Sequence, residues 1–205
     1  KKLSYRKYTN FKSREKNDHF EYLFFVERKN ENEIVYESPL NYIGSKAKMA
    51  SFIKHNAPNK FNSFVDAFGG GFNVGININP TRIIYNDINH FVSKLVASFR
   101  NTDTYQYILY IKRIIKKFGL EPENSDSYIK VREYYNSFPP EKRDPKLLYA
   151  VILYGFNQQI RFNGDHDFNN PVGMRWFNDK VLEKMISFSR VIKEKNVLFE
   201  SKDYH

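Results

Sequence analysis

Asn62-Ser63-Phe64-Val65-Asp66-Ala67-Phe68-Gly69-Gly70-Gly71-Phe72, followed by Arg82-Ile83-Ile84-Tyr85-Asn86-Asp87, is the stretch that decides the fold. A short apolar strand breaks at an acid into glycines, and a second strand ends on another acid about twenty residues later, the spacing of a nucleotide-type cofactor site. Between the strands there is room only for the glycine loop and a short helix. The unit therefore reads as a compact βαβ with parallel strands and a right-handed crossover. Glycines let backbone approach a ligand that no Cβ would tolerate, and Asp87 is placed to accept hydrogen bonds from two ribose hydroxyls. NAD, FAD and S-adenosyl-L-methionine all fit this spacing, as does a tight turn in a purely structural βα unit.

Phosphate chemistry separates these options. A dinucleotide's pyrophosphate needs G-x-G-x-x-G running into a helix N-terminus. Gly69 and Gly71 supply the first two glycines, but the third position is Val74, and Gly75 comes one residue late. Adenosylmethionine carries no phosphate and has a cationic sulfonium. A short glycine turn flanked by acids and aromatics suits it better.

Upstream, Leu40-Asn41-Tyr42-Ile43-Gly44-Ser45-Lys46 is a Gly/Ser turn running into a helix through about His55. Before it, Phe20–Val26 and Glu33–Tyr36 flank a charged turn, Arg28–Asn32, and predict a β-hairpin within an N-terminal extension over 1–37. Downstream, helical spacing runs over Phe91–Phe99 and Tyr107–Phe118, with Gly119 as a stop. Tyr128–Tyr135 reads as a further short helix, closed by Pro139-Pro140. Asp144-Pro145 is an N-cap and N1 pair for a helix through Tyr154. From Gly155 to Phe177 periodicity disappears into a long polar and aromatic loop, the kind that is functional when it is not disordered. Asp179 is expected to cap a helix to about Val191, and Val197–Glu200 reads as a last strand.

Composition fits a globular body. The 205 residues are 41% hydrophobic and 17% aromatic, and carry 33 Lys+Arg against 23 Asp+Glu, a formal charge of +10. Such a balance favours a polyanionic partner, nucleic acid first and an anionic membrane second, although a Lys-rich, Asn-rich proteome produces it too. There is no cysteine, and the five histidines show no ligand spacing, so neither disulfides nor a metal site is expected. No apolar run approaches the roughly 18 residues of a membrane span. No membrane partner is expected, and the default compartment is the cytoplasm.

Together, Leu40–Lys46 and Asp66-Ala67-Phe68-Gly69-Gly70-Gly71 resemble the DNA adenine-N6 methyltransferases of the Dam type. Tyr154-Gly155-Phe156-Asn157-Gln158-Gln159-Ile160-Arg161-Phe162-Asn163, continuing to Phe168-Asn169-Asn170-Pro171-Val172-Gly173, resembles the target-recognition segment of the same family. The resemblance covers roughly Pro39 to His205. It implies an α/β, Rossmann-like adenosylmethionine-dependent methyltransferase fold with a helical target-recognition subdomain. The cofactor core would comprise 38–90 and 178–205, and the recognition region 91–177. S-adenosyl-L-methionine is the implied cofactor and duplex DNA the implied partner.

Carried over residue by residue, the resemblance puts Tyr42, Gly44 and Lys46 beside the cofactor's methionine end. Asp66, Phe68, Gly69 and Gly71 shape the loop beneath it, Asp87 holds the ribose, and Asp203 is similar to the family's acid that meets the adenine amino group. Lys46 as a solvated first-turn lysine and Asp203 as an exposed loop acid are the plainer alternatives. In the recognition segment Asn157, Gln159 and Asn163 offer donors and acceptors, and Arg161 a fork for guanine or phosphate. Phe156, Phe162, Phe168 and Trp176 would either stack on bases or pack against neighbouring helices.

One departure concerns catalysis. The family holds the adenine amino group with a tetrapeptide of Asp, Asn or Ser, then Pro-Pro, then an aromatic. Here the only Pro-Pro is Phe138-Pro139-Pro140-Glu141, and Asn169-Asn170-Pro171-Val172 lacks both the second proline and the aromatic. No catalytic residue is assigned. The sheet is expected to be incomplete, finished by a C-terminal segment beyond His205 or by a second polypeptide. Competing readings are a non-catalytic DNA-binding subunit or remnant, and a nicotinamide or flavin oxidoreductase.

Overall fold

The computed structural model describes residues 2–7, 22–27, 34–58 and 60–203. The chain divides into two units, one up to Val35 and one from Tyr36 onward. In the first, β1 (Lys2–Lys7) pairs antiparallel with β2 (Tyr22–Glu27), Lys2 opposite Glu27 and Lys7 opposite Tyr22. The strand expected over 20–26 is present, but the expected hairpin partner is corrected: Ile34–Tyr36 form no strand. Leu3 and Tyr5 alternate with polar neighbours, a period-two pattern that the basic composition of the N-terminus masks. The charged turn 28–32 lies outside the described residues.

The second unit is built on a parallel three-stranded sheet in the order β3 (Ser63–Asp66), β4 (Arg82–Asn86), β5 (Val197–Glu200). Phe64, Ile83 and Val197 lie level across it, as do Val65, Ile84 and Leu198. Alternation sends those two rows to opposite faces. The first row, with Tyr85 and Phe199, belongs to the core. In the second row Val65 is 58% and Leu198 39% exposed. A parallel sheet is ordinarily covered on both faces, so this bare apolar row is unusual.

The segment 67–81 between β3 and β4 contains a 3-10 turn, Gly75–Asn77, and no α-helix. This corrects the short helix expected there: the glycine loop consumes the residues that a helix would need, and Pro80 ends the crossing. Before the sheet comes α1 (Ala50–Asn56), entered through a 3-10 turn at Ala47–Met49.

Five helices follow β4 or precede β5. Asn89 caps α2 (His90–Asn101) by accepting from Phe91 N and Val92 N. Asp103 caps α3 (Thr104–Phe118), which Gly119 closes at φ +63°, a left-handed stop that glycine makes without strain. Asn124 caps α4 (Ser125–Asn136), and Asp144 Oδ1 accepts Lys146 N at 2.8 Å ahead of α5 (Pro145–Tyr154). The cap of α6 (Asp179–Glu194) is Asn178, whose Oδ1 accepts Val181 N at 3.0 Å, one residue before the expected Asp179.

Leu147 to Tyr154 are all buried, which makes α5 the central helix. It packs against α2, α3 and α4, while α2 also lies on α6 and β5. Phe99 joins these layers, stacking on Tyr107 at 5.2 Å and meeting Tyr149 and Phe188 edge-on. Each such buried ring contributes about 1.5–3 kcal/mol of transfer free energy.

Candidate cofactor cleft and recognition segment

One cleft of about 680 Å3 opens at the carboxyl ends of β3 and β4. The strap before α1 brings Tyr42, Gly44 and Lys46 to it, the glycine loop brings Asp66, Phe68, Gly69 and Gly71, and the end of β4 brings Asp87. Asp203 does not line it. That residue is exposed, one position beyond the pair in which Lys202 N donates to Asn86 Oδ1 and Asn86 Nδ2 donates to Lys202 O.

Asp87 fastens the loop. Gly70 N donates to its Oδ2 and Asn89 N to its Oδ1, each at 2.9 Å, and the carboxylate is buried. A carboxylate has about four acceptor positions, so capacity remains on the cleft side. Asp66 Oδ2 accepts Gly75 N at 3.3 Å. Burial pushes its carboxyl up to about 6, the Gly75 amide partly offsets this, and the charge of Asp87 adds to it. Burial and the Asp87 charge also raise the Tyr42 hydroxyl.

The glycines serve the protein before they serve any ligand. A Cβ on Gly69 would sit 2.3 Å from the Tyr85 ring, and one on Gly70 (φ +47°) would sit 2.8 Å from the Tyr42 ring. Tyr85, fully buried, pins the loop by donating from its hydroxyl to Gly70 O at 2.7 Å. Gly75, which breaks the dinucleotide pattern, is occupied in the same way, since a Cβ there would collide with the Phe72 ring.

Two residues that belong to no motif hold the strap to the loop. Asn73 Oδ1 accepts Ser38 N at 2.9 Å, and Asn73 Nδ2 donates to Ser45 Oγ at 3.0 Å. Asn77 Oδ1 accepts Tyr36 N at 2.7 Å, and its Nδ2 donates to Tyr36 O and Asn73 O. Their only sequence signal is two asparagines four apart inside an apolar run.

The recognition segment folds back on itself through bridges at Gly155–Val172 and Phe162–Phe168. A Cβ on Gly173 would lie 2.4 Å from Gly155 O, so the two limbs cross in backbone contact. Arg143, buried, clamps the fold from outside. It donates to Phe138 O at 2.9 Å, Asn136 O at 3.0 Å, Asp167 Oδ1 at 2.6 Å and His166 O. Phe162 stacks on Phe91 at 4.3 Å and Phe168 is fully buried, so these two rings pack. Phe156 and Trp176 are half-exposed.

Of the polar candidates, Arg161 is exposed. Asn157 O accepts Asn41 Nδ2 at 2.6 Å, and Gln159 bridges to Asn41, next to Tyr42 of the cleft. Asn163 spends its Oδ1 on Asp165 N and Asp167 N, which makes it a turn-former. Among the described residues no cluster of metal-ligating side chains exists, and no helix is long and apolar enough to cross a membrane.

A parallel sheet, a glycine loop and a closing acid on the next strand make a Rossmann-like core, and the family match makes it a methyltransferase core. The chain belongs to the D12 class N6 adenine-specific DNA methyltransferases, whose family model matches residues 42–205. It is similar to the type II methyltransferase M.FokI of Planomicrobium okeanokoites, 34% identical over 222 residues that cover 99% of this chain and 34% of the relative. It is 31% identical to the modification methylase StsI of Streptococcus sanguinis over 92% of this chain and 31% of that one. A DNA adenine methylase of Haemophilus influenzae is 32% identical over 65% of this chain and 46% of its own length. The chain thus spans about a third of the first two relatives.

Proposed function

We propose that the chain carries the cofactor-binding and DNA-recognition parts of a site-specific DNA adenine-N6 methyltransferase that uses S-adenosylmethionine. The observation that carries this reading is the convergence of strap, glycine loop and Asp87 on one cleft with no α-helix between β3 and β4. A pyrophosphate would want the helix N-terminus that is missing. Two carboxylates and the exposed Phe68 ring suit a nucleoside with a cationic sulfonium. When bound, that cofactor supplies an electrophilic methyl group.

The chain's own residues position it. Asp87 accepts the ribose hydroxyls, Asp66 faces the sulfonium end with its negative charge, and the Tyr42 and Phe68 rings supply apolar walls. Asp203 is left out of this set because it does not line the cleft. Arg161, Asn157 and Gln159 meet DNA, and Asn163 shapes the loop that presents them. The Asn41–Gln159 bridge ties recognition to cofactor. Because α2 packs on β5 and α6, we draw the recognition region over 103–177 and keep α2 with the core.

The adenine-holding tetrapeptide is then supplied by a further polypeptide segment. The bare row Val65, Ile84 and Leu198 supports this, since a helix laid across it would complete the sheet's second layer. The test is transfer of labelled methyl from adenosylmethionine to duplex DNA, by this chain alone and with a polypeptide bearing Asp-Pro-Pro-Tyr. A thermal-shift panel of adenosylmethionine, NAD and FAD accompanies it. Stabilisation by NAD or FAD in place of adenosylmethionine would overturn the assignment.

A further inference from the structure

A second cleft, of about 700 Å3, opens beside the first, between the strap at 37–47, the recognition turn at Gln158 and the start of α6. Ser45 and Asn73 line both clefts, and their 3.0 Å hydrogen bond is the partition between them. Three cations line the second cleft, Arg175, Lys180 and Lys184, against one carboxylate, Glu37. Lys184 holds that carboxylate at 2.5 Å. Among the described residues Arg175 and Lys180 have no ion-pair partner, so the cleft keeps two uncompensated positive charges.

Its recognition wall is strained. Asn157 (φ +50°) and Gln158 (φ +55°) are consecutive non-glycine residues in the left-handed region. Such backbone costs about 1–3 kcal/mol per residue and persists where the surroundings over-determine it, which is commonly at functional sites. Here Asn41 Nδ2 holds Asn157 O, and Gln158 Nε2 donates to Leu153 O at 3.1 Å. The turn is thereby fixed at the mouth of a cationic cleft that borders the cofactor cleft.

We propose that this second cleft is a phosphate site, in which Arg175 and Lys180 hold the DNA backbone beside the target nucleotide. The inference rests on the DNA reading above. A base turned out of the duplex brings its flanking phosphates with it. A cationic channel between the recognition turn and the cofactor partition is where that backbone has to pass, and such contacts fix register without reading sequence.

The test is duplex-DNA binding by the whole chain across a salt series, for the native protein and for Arg175→Ala/Lys180→Ala. Each phosphate contact contributes about 0.9 to the slope of log K against log salt. The double variant should therefore lose about 1.8 of slope, with affinity falling alike for every duplex sequence, while Arg175→Lys retains its share. A control that removes two exposed charges near the amino-terminal ends of β3 and β5, Lys60→Ala/Lys193→Ala, should leave the slope in place. Calorimetric adenosylmethionine affinity, unchanged in the double variant, shows that the neighbouring cleft is intact. A native slope in the double variant, or an equal loss in the control, overturns the phosphate site while the DNA reading stands. A native chain that binds no duplex overturns both.

Discussion

Replacing Asp87 with alanine removes the acceptor that fastens the glycine loop to the end of β4. Gly70 N and Asn89 N each donate to it at 2.9 Å, and Asp87 and Gly70 are buried. A hydrogen bond to a charged acceptor is worth about 1.5–3 kcal/mol, and a buried donor left alone loses all of it. Asn89 is partly exposed, so water replaces much of its loss. The expected cost is about 2–3 kcal/mol of unfolding free energy. With a urea slope of about 2 kcal/mol/M, this lowers the midpoint by about 1–1.5 M. Asp87→Asn keeps one acceptor oxygen and should fall between native and alanine. Calorimetry under conditions where the variants are folded should then show adenosylmethionine binding weakened by about 1.5–3 kcal/mol, roughly ten- to a hundredfold. An unchanged midpoint would refute the loop-fastening role, and a lowered midpoint with native affinity would remove Asp87 from the cofactor site.

Asp66 makes the site pH-dependent. Its folded carboxyl titrates at about 6 against 3.8, so the native state keeps a proton that the unfolded chain has released between those values. Stability should therefore fall as pH rises through that window, while adenosylmethionine affinity rises as the charge appears; Asp66→Asn should flatten both curves. Arg161→Ala should abolish sequence preference if the guanidinium reads a base, or weaken all duplexes alike if it meets phosphate, and native binding to every duplex would remove it from the interface. Arg143→Ala should lower stability by about 1–3 kcal/mol by urea unfolding, because the carbonyls of Asn136, Phe138 and His166 lose their charged donor while the partly exposed Asp167 regains water, and lysine should recover only a fraction for want of the fork. Val65→Asp and Leu198→Glu should leave the urea midpoint of this chain nearly unmoved yet block methyl transfer reconstituted with the tetrapeptide-bearing polypeptide; reconstitution at the native level would refute a docking role for that face.

The later two sheet strands and the presence of the long helices were legible because they obey local rules. Arg82–Asn86 and Val197–Glu200 appear at the expected positions, and Asp144 with Pro145 opens α5 as an N-cap and N1 pair should. The crossover helix was a different matter. Counting residues between β3 and β4 left room for one, but whether glycine-loop backbone leaves enough chain to wind it depends on where the loop is pinned. That pin is Tyr85, a residue that pattern alone assigns to a strand interior. The partner expected for β2, Glu33–Tyr36, was wrong, and β2 pairs with Lys2–Lys7 instead, because register and pairing depend on contacts that local pattern does not encode.

By itself the amino-acid sequence determined which residues are candidates for the chemistry: two acids at strand ends, glycines between them, and a polar, aromatic segment ahead of α6. Residue type and spacing are one-dimensional, and these signals are too. Only the tertiary structure decided which of those residues share a space. It gathers Tyr42, Lys46, Asp66 and Asp87 around one cleft and leaves Asp203 outside. It commits Phe162 and Phe168 to packing, and joins Asn41 to Gln159 across more than a hundred residues of chain. The physical reason is that buried donors and rings must find partners wherever the fold brings them. The asparagines and tyrosines that answer that demand, Asn73, Asn77 and Tyr85, carry no motif of their own.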